Sequence, residues 1–215
     1  MVVLQRGPAG LARPELTVEQ RTRMTRTPMS ARVRVNPVTP ADRSPQQRKV
    51  LQQVGDHSAA NVFATLVANP KLFESWLPFC LYLLRCLELS ARQREMVILR
   101  TAWLCGAHYE WAHHVGLALE AGLSENEIRA LSGETFDWTA EECALLDAVD
   151  ELHANHTLTD EVWNRLARFL STDQLITLPM LVGQYTMLAG TLNALGVAVD
   201  GDVDASQRML GWGER

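Results

Sequence analysis

Four times along the chain a serine or threonine stands three residues ahead of a glutamate or glutamine at the head of an apolar stretch: Ser90 with Gln93, Ser124 with Glu127, Thr139 with Glu142 and Ser171 with Gln174. In such a pair each side chain satisfies the other residue's orphan backbone N–H, so a helix starts at a defined residue. From Ser44 onward the apolar spacing is helical, and alternating β-branched runs are almost absent. The expected fold class is therefore all-α.

Breakers divide this pattern into elements. A first helix is predicted over 44–54. A second starts near Ser58 and carries Val62, Phe63, Leu66 and Val67 until Asn69-Pro70 stops it, because proline cannot continue a helix from within. A third, over 71–86, holds Leu72, Phe73, Trp76, Leu77, Phe79, Leu81, Leu83 and Leu84 and is bent at Pro78. Apolar around its circumference, it reads as a core or subunit-interface helix. The Ser90 helix runs to Cys105, where Gly106 permits a break. The next spans 108–121 and ends at Gly122, and a short helix carries Ile128 and Leu131. Further helices run from Thr139 to Ala154, from Thr159 or Asp160 to Phe169, and from Ser171 to Leu195. The organisation expected is an Arg/Pro-rich flexible arm at 1–43, a helical domain at 44–196 and an irregular tail at 197–215. The apolar helix faces exceed what a monomer of this size buries, so the subunit is expected to self-associate.

Charge is unevenly placed. Residues 1–50 hold ten of the twenty Lys and Arg and three acids, leaving ten bases against twenty-two acids in the remainder. An acidic body repels phosphate backbones, and no nucleic-acid-binding motif accompanies the basic arm, so nucleic acid is not an expected partner. The arm has no apolar run long enough for a secretory segment or a membrane span. It reads as a packing arm, or as residues ahead of a start at Met24 or Met29, before an organellar targeting segment. Cys80, Cys86, Cys105 and Cys143 form no C-x-x-C pair and carry no secretory context, which points to reduced thiols and a cytoplasmic location. The preference for Arg over Lys suits a GC-rich bacterial genome.

Titratable groups concentrate between Glu95 and His114. Glu95 shares a helix face with Ile98, Leu99 and Ala102, so its carboxylate points into apolar surroundings and must find a partner or keep its proton. Glu110 lies three and four residues before His113 and His114, a spacing that lets one imidazole meet it on a common face. A carboxylate and an imidazole on neighbouring helices meet the minimum requirement of general acid–base catalysis, with Glu95 and His114 the leading pair. Structural hydrogen bonding between adjacent helices is the competing reading. A metal site is not expected, because adjacent histidines diverge by about 100° on a helix and H-E-x-x-H is missing. His108 and Tyr109 open a helix whose free N–H groups suit an anionic ligand. Trp76, Phe79, Trp103 and Trp111 suit either a planar substrate or a plain core. Cys105 reads as packing, with no cation beside it in sequence, and His57, His153 and His156 as helix-end residues.

The stretches Arg94-Glu95-Met-Val-Ile-Leu-Arg100, Gly106-Ala-His-Tyr-Glu-Trp111, His114 and Ala121-Gly-Leu-Ser-Glu125 resemble the carboxymuconolactone decarboxylase family, well over about 58–132 and loosely elsewhere. The related alkylhydroperoxidase D-like (AhpD-like) branch carries a Glu, a C-x-x-C pair and a His, and those places hold Glu95, Ala107, Glu110 and His114 here. Both redox cysteines are missing, which disfavours a disulfide relay. The resemblance implies an AhpD-like helical bundle assembled as a trimer or hexamer. It further implies proton transfer on a lactone or related carboxylic acid without metal or organic cofactor, with Glu95, Glu110 and His114 catalytic. His108, Tyr109, Trp111, His113 and Trp76 are the substrate contacts expected. A thiol peroxidase and a non-catalytic oligomeric ligand-binding protein are the alternatives.

Overall fold

The structure, a computed structural model, describes residues 32–85, 88–201, 203, 210 and 212. Most of the expected arm, with Met24 and Met29, lies outside them, as does Cys86. Among the described residues every regular element is helical: α1 (Pro45–Leu51), a 3-10 segment (Gln52–Ala59), α2 (Asn61–Leu66), α3 (Pro70–Arg85), α4 (Ala91–Leu104), α5 (His108–Glu120), α6 (Glu125–Leu131), α7 (Ala140–Asn155), α8 (Asp160–Leu166) and α9 (Thr172–Leu195).

The four capping boxes form as reciprocal side-chain and backbone pairs at Ser90, Ser124, Thr139 and Ser171, and Ser44 with Gln47 makes a fifth. The expected helix over 44–54 stops at Leu51. Gly55, at φ 55° and ψ −129°, is in a conformation closed to most residues, so the chain passes through 3-10 turns and α2 begins at Asn61 rather than near Ser58. Likewise α8 ends at Leu166, before the expected Phe169. Pro78 lies inside α3. No helix is found among the described residues beyond Gly196.

α4 is the central element, packed against α5, α6, α7 and α9. Met96, Val97, Ile98 and Leu99 are fully buried, so α4 has no solvent face along this turn. One core layer joins Val97 and Ile98 to α7, α8 and α9 through Leu145, Val149, Leu166, Leu178 and Leu181. A second joins Met96, Leu99 and Ala102 to α5 and α6 through Trp111, Val115, Ile128 and Leu131. Two arginines tie the ends of α4 to its neighbours. Arg92 pairs with Glu127 and Glu142, the same carboxylates that close the capping boxes of α6 and α7. Arg100 makes a forked pair with Asp150, both bonds 2.7 Å, and donates to Leu131 O.

At the far end of α9, Gly196 adopts φ 67° and closes the helix. The segment at 32–35 lies against this terminus: Arg34 N and Val35 N donate to Leu195 O at 2.9 and 3.2 Å, and the Arg34 guanidinium donates to Ala194 O at 2.7 Å. α9 is long and apolar enough to cross a membrane by length and composition, and half of its most apolar stretch is buried inside the fold.

Candidate active site

α4 and α5 are joined by a tight connection in which Gly106, at φ 60°, lets Ala107 N reach back to Ala102 O at 2.8 Å. The turn sets the two helices against each other and brings Glu95 opposite His114. Their side chains meet at 2.7 Å, Nδ1 to Oε2. Glu95 is fully buried and His114 is 6 % exposed. The other Glu95 oxygen accepts from Arg94 Nε at 3.1 Å. Burial alone would raise the Glu95 carboxyl, but the His114 charge and the hydrogen bonds from His114 and Arg94 outweigh it and hold the group below its ordinary value. Burial would lower the His114 imidazole, yet the Glu95 carboxylate, with Glu110 adding to it, lifts it above its ordinary value. The pair is therefore a buried carboxylate–imidazolium.

With Nδ1–H committed to Glu95, the other ring nitrogen is the one that can exchange a proton. Nε2 lies 3.2 Å from Tyr185 Oη on α9 and 3.7 Å from Glu110 Oε2, one turn back on α5. The Tyr185 ring meets the imidazole edge to face, with centroids 5.2 Å apart. Glu110 is nearly as buried as its neighbours. Burial pushes its carboxyl up to about 7, with the His114 charge opposing, so it changes protonation state near neutral pH. Cys80 of α3 also belongs to this cluster: burial first, and the Glu110 charge second, push its thiol up to about 12 and keep it protonated. Burial and then the Glu110 charge raise Tyr185 well above an ordinary phenol. Four helices, α3, α4, α5 and α9, thus converge on one acid–base centre.

Glu95, Glu110 and His114, three residues anticipated from spacing, are brought together. The five anticipated substrate contacts are not gathered in one place. His113 points about one quarter-turn away from His114, stacks on Tyr109 and pairs with Asp200 Oδ2 at 3.0 Å. Tyr109 Oη donates to the same oxygen at 2.6 Å, and Asn61 N donates to the other at 2.9 Å, so Asp200 pins α2 and α5 together. Trp111 is fully buried, donates Nε1–H to Leu210 O at 2.8 Å and packs with Trp103 and Trp212; His108 stacks on Trp212. These contacts with the tail occupy Trp111 completely. Its ring is part of the core. Trp76 of α3 is half-buried and donates to Gln184 Oε1 at 3.2 Å. Phe79 is on the outer surface of α3.

Sequence reasoning missed Tyr185, Cys80 and Gln184. The signal available was a Gln-Tyr pair set in the apolar run of α9. Cys105, read as having no charged neighbour, has His153 Nδ1 3.7 Å from its sulfur, and its carbonyl accepts from Asn193 at 3.1 Å. The pair lies at the C-terminal end of α4, whose negative pole disfavours a thiolate. Among the described residues no set of three or more His, Cys, Asp or Glu side chains is arranged to hold a metal ion.

Several solved structures share this fold. An uncharacterised peroxidase-related protein with an AhpD core from Ralstonia eutropha JMP134 aligns with a TM-score of 0.69 at 16% identity, covering 88% of this chain and 100% of that one. The debrominase Bmp8 in complex with 2,3,4-tribromopyrrole aligns at 0.59 with 22% identity, covering 82% and 94%. A protein of unknown function from Agrobacterium tumefaciens, linked by its description to antioxidant defence and AhpD, aligns at 0.57 with 21% identity, covering 63% and 94%. At these identities the likeness shows an AhpD-like fold alone. No curated protein sequence matches the chain. The model of the carboxymuconolactone decarboxylase family matches residues 70–151, a span that runs from α3 into α7 and holds Cys80, Glu95, Glu110 and His114 but not Tyr185. The chain thus carries a segment, residues 70–151, that matches the carboxymuconolactone decarboxylase family, within a bundle of AhpD-like fold.

Proposed function

We propose that this protein is an acid–base enzyme acting on a small lactone or related carboxylic acid, by decarboxylation, isomerisation or dehydration, without metal or organic cofactor. The observation that carries the reading is the 2.7 Å Glu95–His114 pair, whose outward nitrogen stands between Tyr185 and a carboxyl that titrates near neutrality. Glu95 fixes the imidazole by its Nδ1–H and compensates its charge. In the neutral ring Nε2 accepts from Tyr185. In the imidazolium the Nε2–H faces Tyr185 and Glu110 and is the proton to be given up.

For a decarboxylation, the bond between the substrate carbon and its carboxylate breaks, and the electron pair moves into a conjugated carbonyl as a dienolate. Carbon dioxide leaves, His114 Nε2–H protonates the carbon, Glu110 returns a proton to the imidazole, and Glu110 takes its own proton back from solvent. The electron sink is the substrate's own carbonyl, so the protein has only to supply position and protons. A disulfide-relay peroxidase is the weaker reading, because Ala107 and Glu110 occupy the places of its cysteines.

The subunit is further proposed to assemble with copies of itself, as a trimer or hexamer. Leu72, Phe79 and Tyr82 on α3 and Ile176, Met180 and Met187 on α9 leave apolar surface exposed on two helices that pack together. A soluble assembly of this kind fits a cytoplasmic enzyme. The first experiment is carbon dioxide release and ultraviolet loss with 4-carboxymuconolactone, comparing the parental protein with His114→Gln after light scattering shows that both assemble alike. Turnover lost in the variant supports decarboxylation with His114 as the proton carrier. Equal turnover in folded His114→Gln and Glu95→Gln proteins would refute the acid–base assignment.

A further inference from the structure

We infer that the Gln184 side-chain amide is a substrate-binding group, a hydrogen-bond donor to a carbonyl or carboxylate oxygen held beside the Glu110–His114 centre. The inference rests on the acid–base reading for its place in a reaction, though not for the existence of the donor.

Gln184 is 3 % exposed, on a helix whose inward positions are otherwise almost all apolar. Its Oε1 accepts from Trp76 Nε1 at 3.2 Å. An indole N–H only donates, so the carboxamide oxygen must face the indole and the NH2 must face away. That NH2 is buried and has no hydrogen-bond partner in the protein. An orphaned buried donor is destabilising, a cost that a leucine at this position would avoid. The structure therefore holds a neutral donor in a fixed orientation, desolvated and unspent.

The two helices that hold it also contribute side chains to the acid–base centre. On α9 the next residue is Tyr185, whose hydroxyl is 3.2 Å from His114 Nε2. On α3 the residue one turn beyond Trp76 is Cys80, which feels the Glu110 charge. Both elements that place the Gln184 amide thus also line the centre. A neutral NH2 suits an oxygen that is a carbonyl in the ground state and gains charge in a dienolate, since it binds the charged form more strongly without adding a second cation beside His114. The ligand class is a small ring or chain bearing a ketone, lactone or carboxylate oxygen.

The test uses the full chain labelled with 15N-glutamine and an inert probe, 3-oxocyclopentanecarboxylate, with methylcyclopentane as the oxygen-free control. Gln184→Leu and Gln184→Met both remove the donors, and circular dichroism checks independently that each folds. The side-chain amide resonance of Gln184, identified by its loss in Gln184→Met, is expected to shift with the oxygenated probe and not with methylcyclopentane. Either substitution is expected to weaken probe binding about tenfold, the equivalent of one hydrogen bond of about 1.4 kcal/mol. An unmoved Gln184 resonance, or equal affinity in the folded variants, overturns the inference. Probe binding that depends on Gln184 in a protein whose turnover is untouched by His114→Gln would sustain the binding group while refuting the acid–base reading.

Discussion

Replacing Glu110 with glutamine separates what this residue does for the reaction from what it costs the fold. In the unfolded chain the carboxyl ionises near 4.5; in the folded protein burial moves this to about 7. A group with a raised folded pKa favours the fold most below its unfolded pKa, and that contribution is lost as pH climbs to the folded pKa. Between pH 4.5 and 7 the native state must keep a proton that the unfolded chain gives up, so ionisation works against the fold. At 1.36 kcal/mol per unit, a rise from 4.5 to about 7 means that above pH 7 Glu110 costs about 3 kcal/mol. Glutamine has nearly the same shape and no charge to desolvate. Glu110→Gln is therefore expected to be more stable than the parental protein at pH 8, with Tm higher by about 6–12 °C on the usual scaling for a chain of this size. The advantage should vanish at pH 4, where both side chains are neutral. Thermal unfolding followed at 222 nm from pH 4 to 8 reads this directly. A variant equally displaced at both ends of the range, or less stable at pH 8, would show that Glu110 is not held protonated by burial.

The opposite sign is expected at Glu95. Glu95→Ala leaves an imidazolium buried without its counter-charge and should cost about 3–5 kcal/mol, read as a lower urea midpoint. Gly196→Ala should destabilise by about 2–4 kcal/mol, because the new Cβ collides with the Arg32 carbonyl in a left-handed conformation unsuited to alanine, and an unchanged Tm would refute the close approach. Asp200→Ala removes acceptors from Asn61 N, Tyr109 and His113 and should cost about 2–4 kcal/mol while raising hydrogen exchange at the Asn61 amide. If Glu110 recharges His114, kcat should fall as pH rises through about 7, a decline absent from Glu110→Gln, in which the residual rate is low throughout.

Residues that act within one or two helical turns were the legible part of this molecule. Capping boxes mark helix starts because both partners lie three residues apart, and Glu110 with His114 is visible for the same reason at four. Glu95 was found by its apolar face. The end of the first helix was missed because the apolar pattern runs on past Gly55, whose positive φ is a property of the fold there and not of the pattern. Tyr185 and Gln184 were missed because the partner that places each of them is seventy or more residues away. The same lack of long-range information placed Trp111 with the substrate contacts: no local rule announces that Leu210 and Trp212 return to cover it.

That return has a consequence for the order in which the native state is assembled. Trp111 waits for a carbonyl 99 residues further along the chain, Tyr109 for a carboxylate 91 residues on, and Arg34 for the end of a helix 160 residues on. During vectorial synthesis α4 and α5 can pair early, since only a short turn separates them, and the Glu95–His114 contact spans 19 residues. The indole surface of α5 and the segment at 32–35 must remain wet until residues 194–212 have been made. A nascent chain would thus hold the core of its chemistry before it holds its own fold, with the exposed tryptophan as the point where a holding chaperone or a premature neighbour finds purchase.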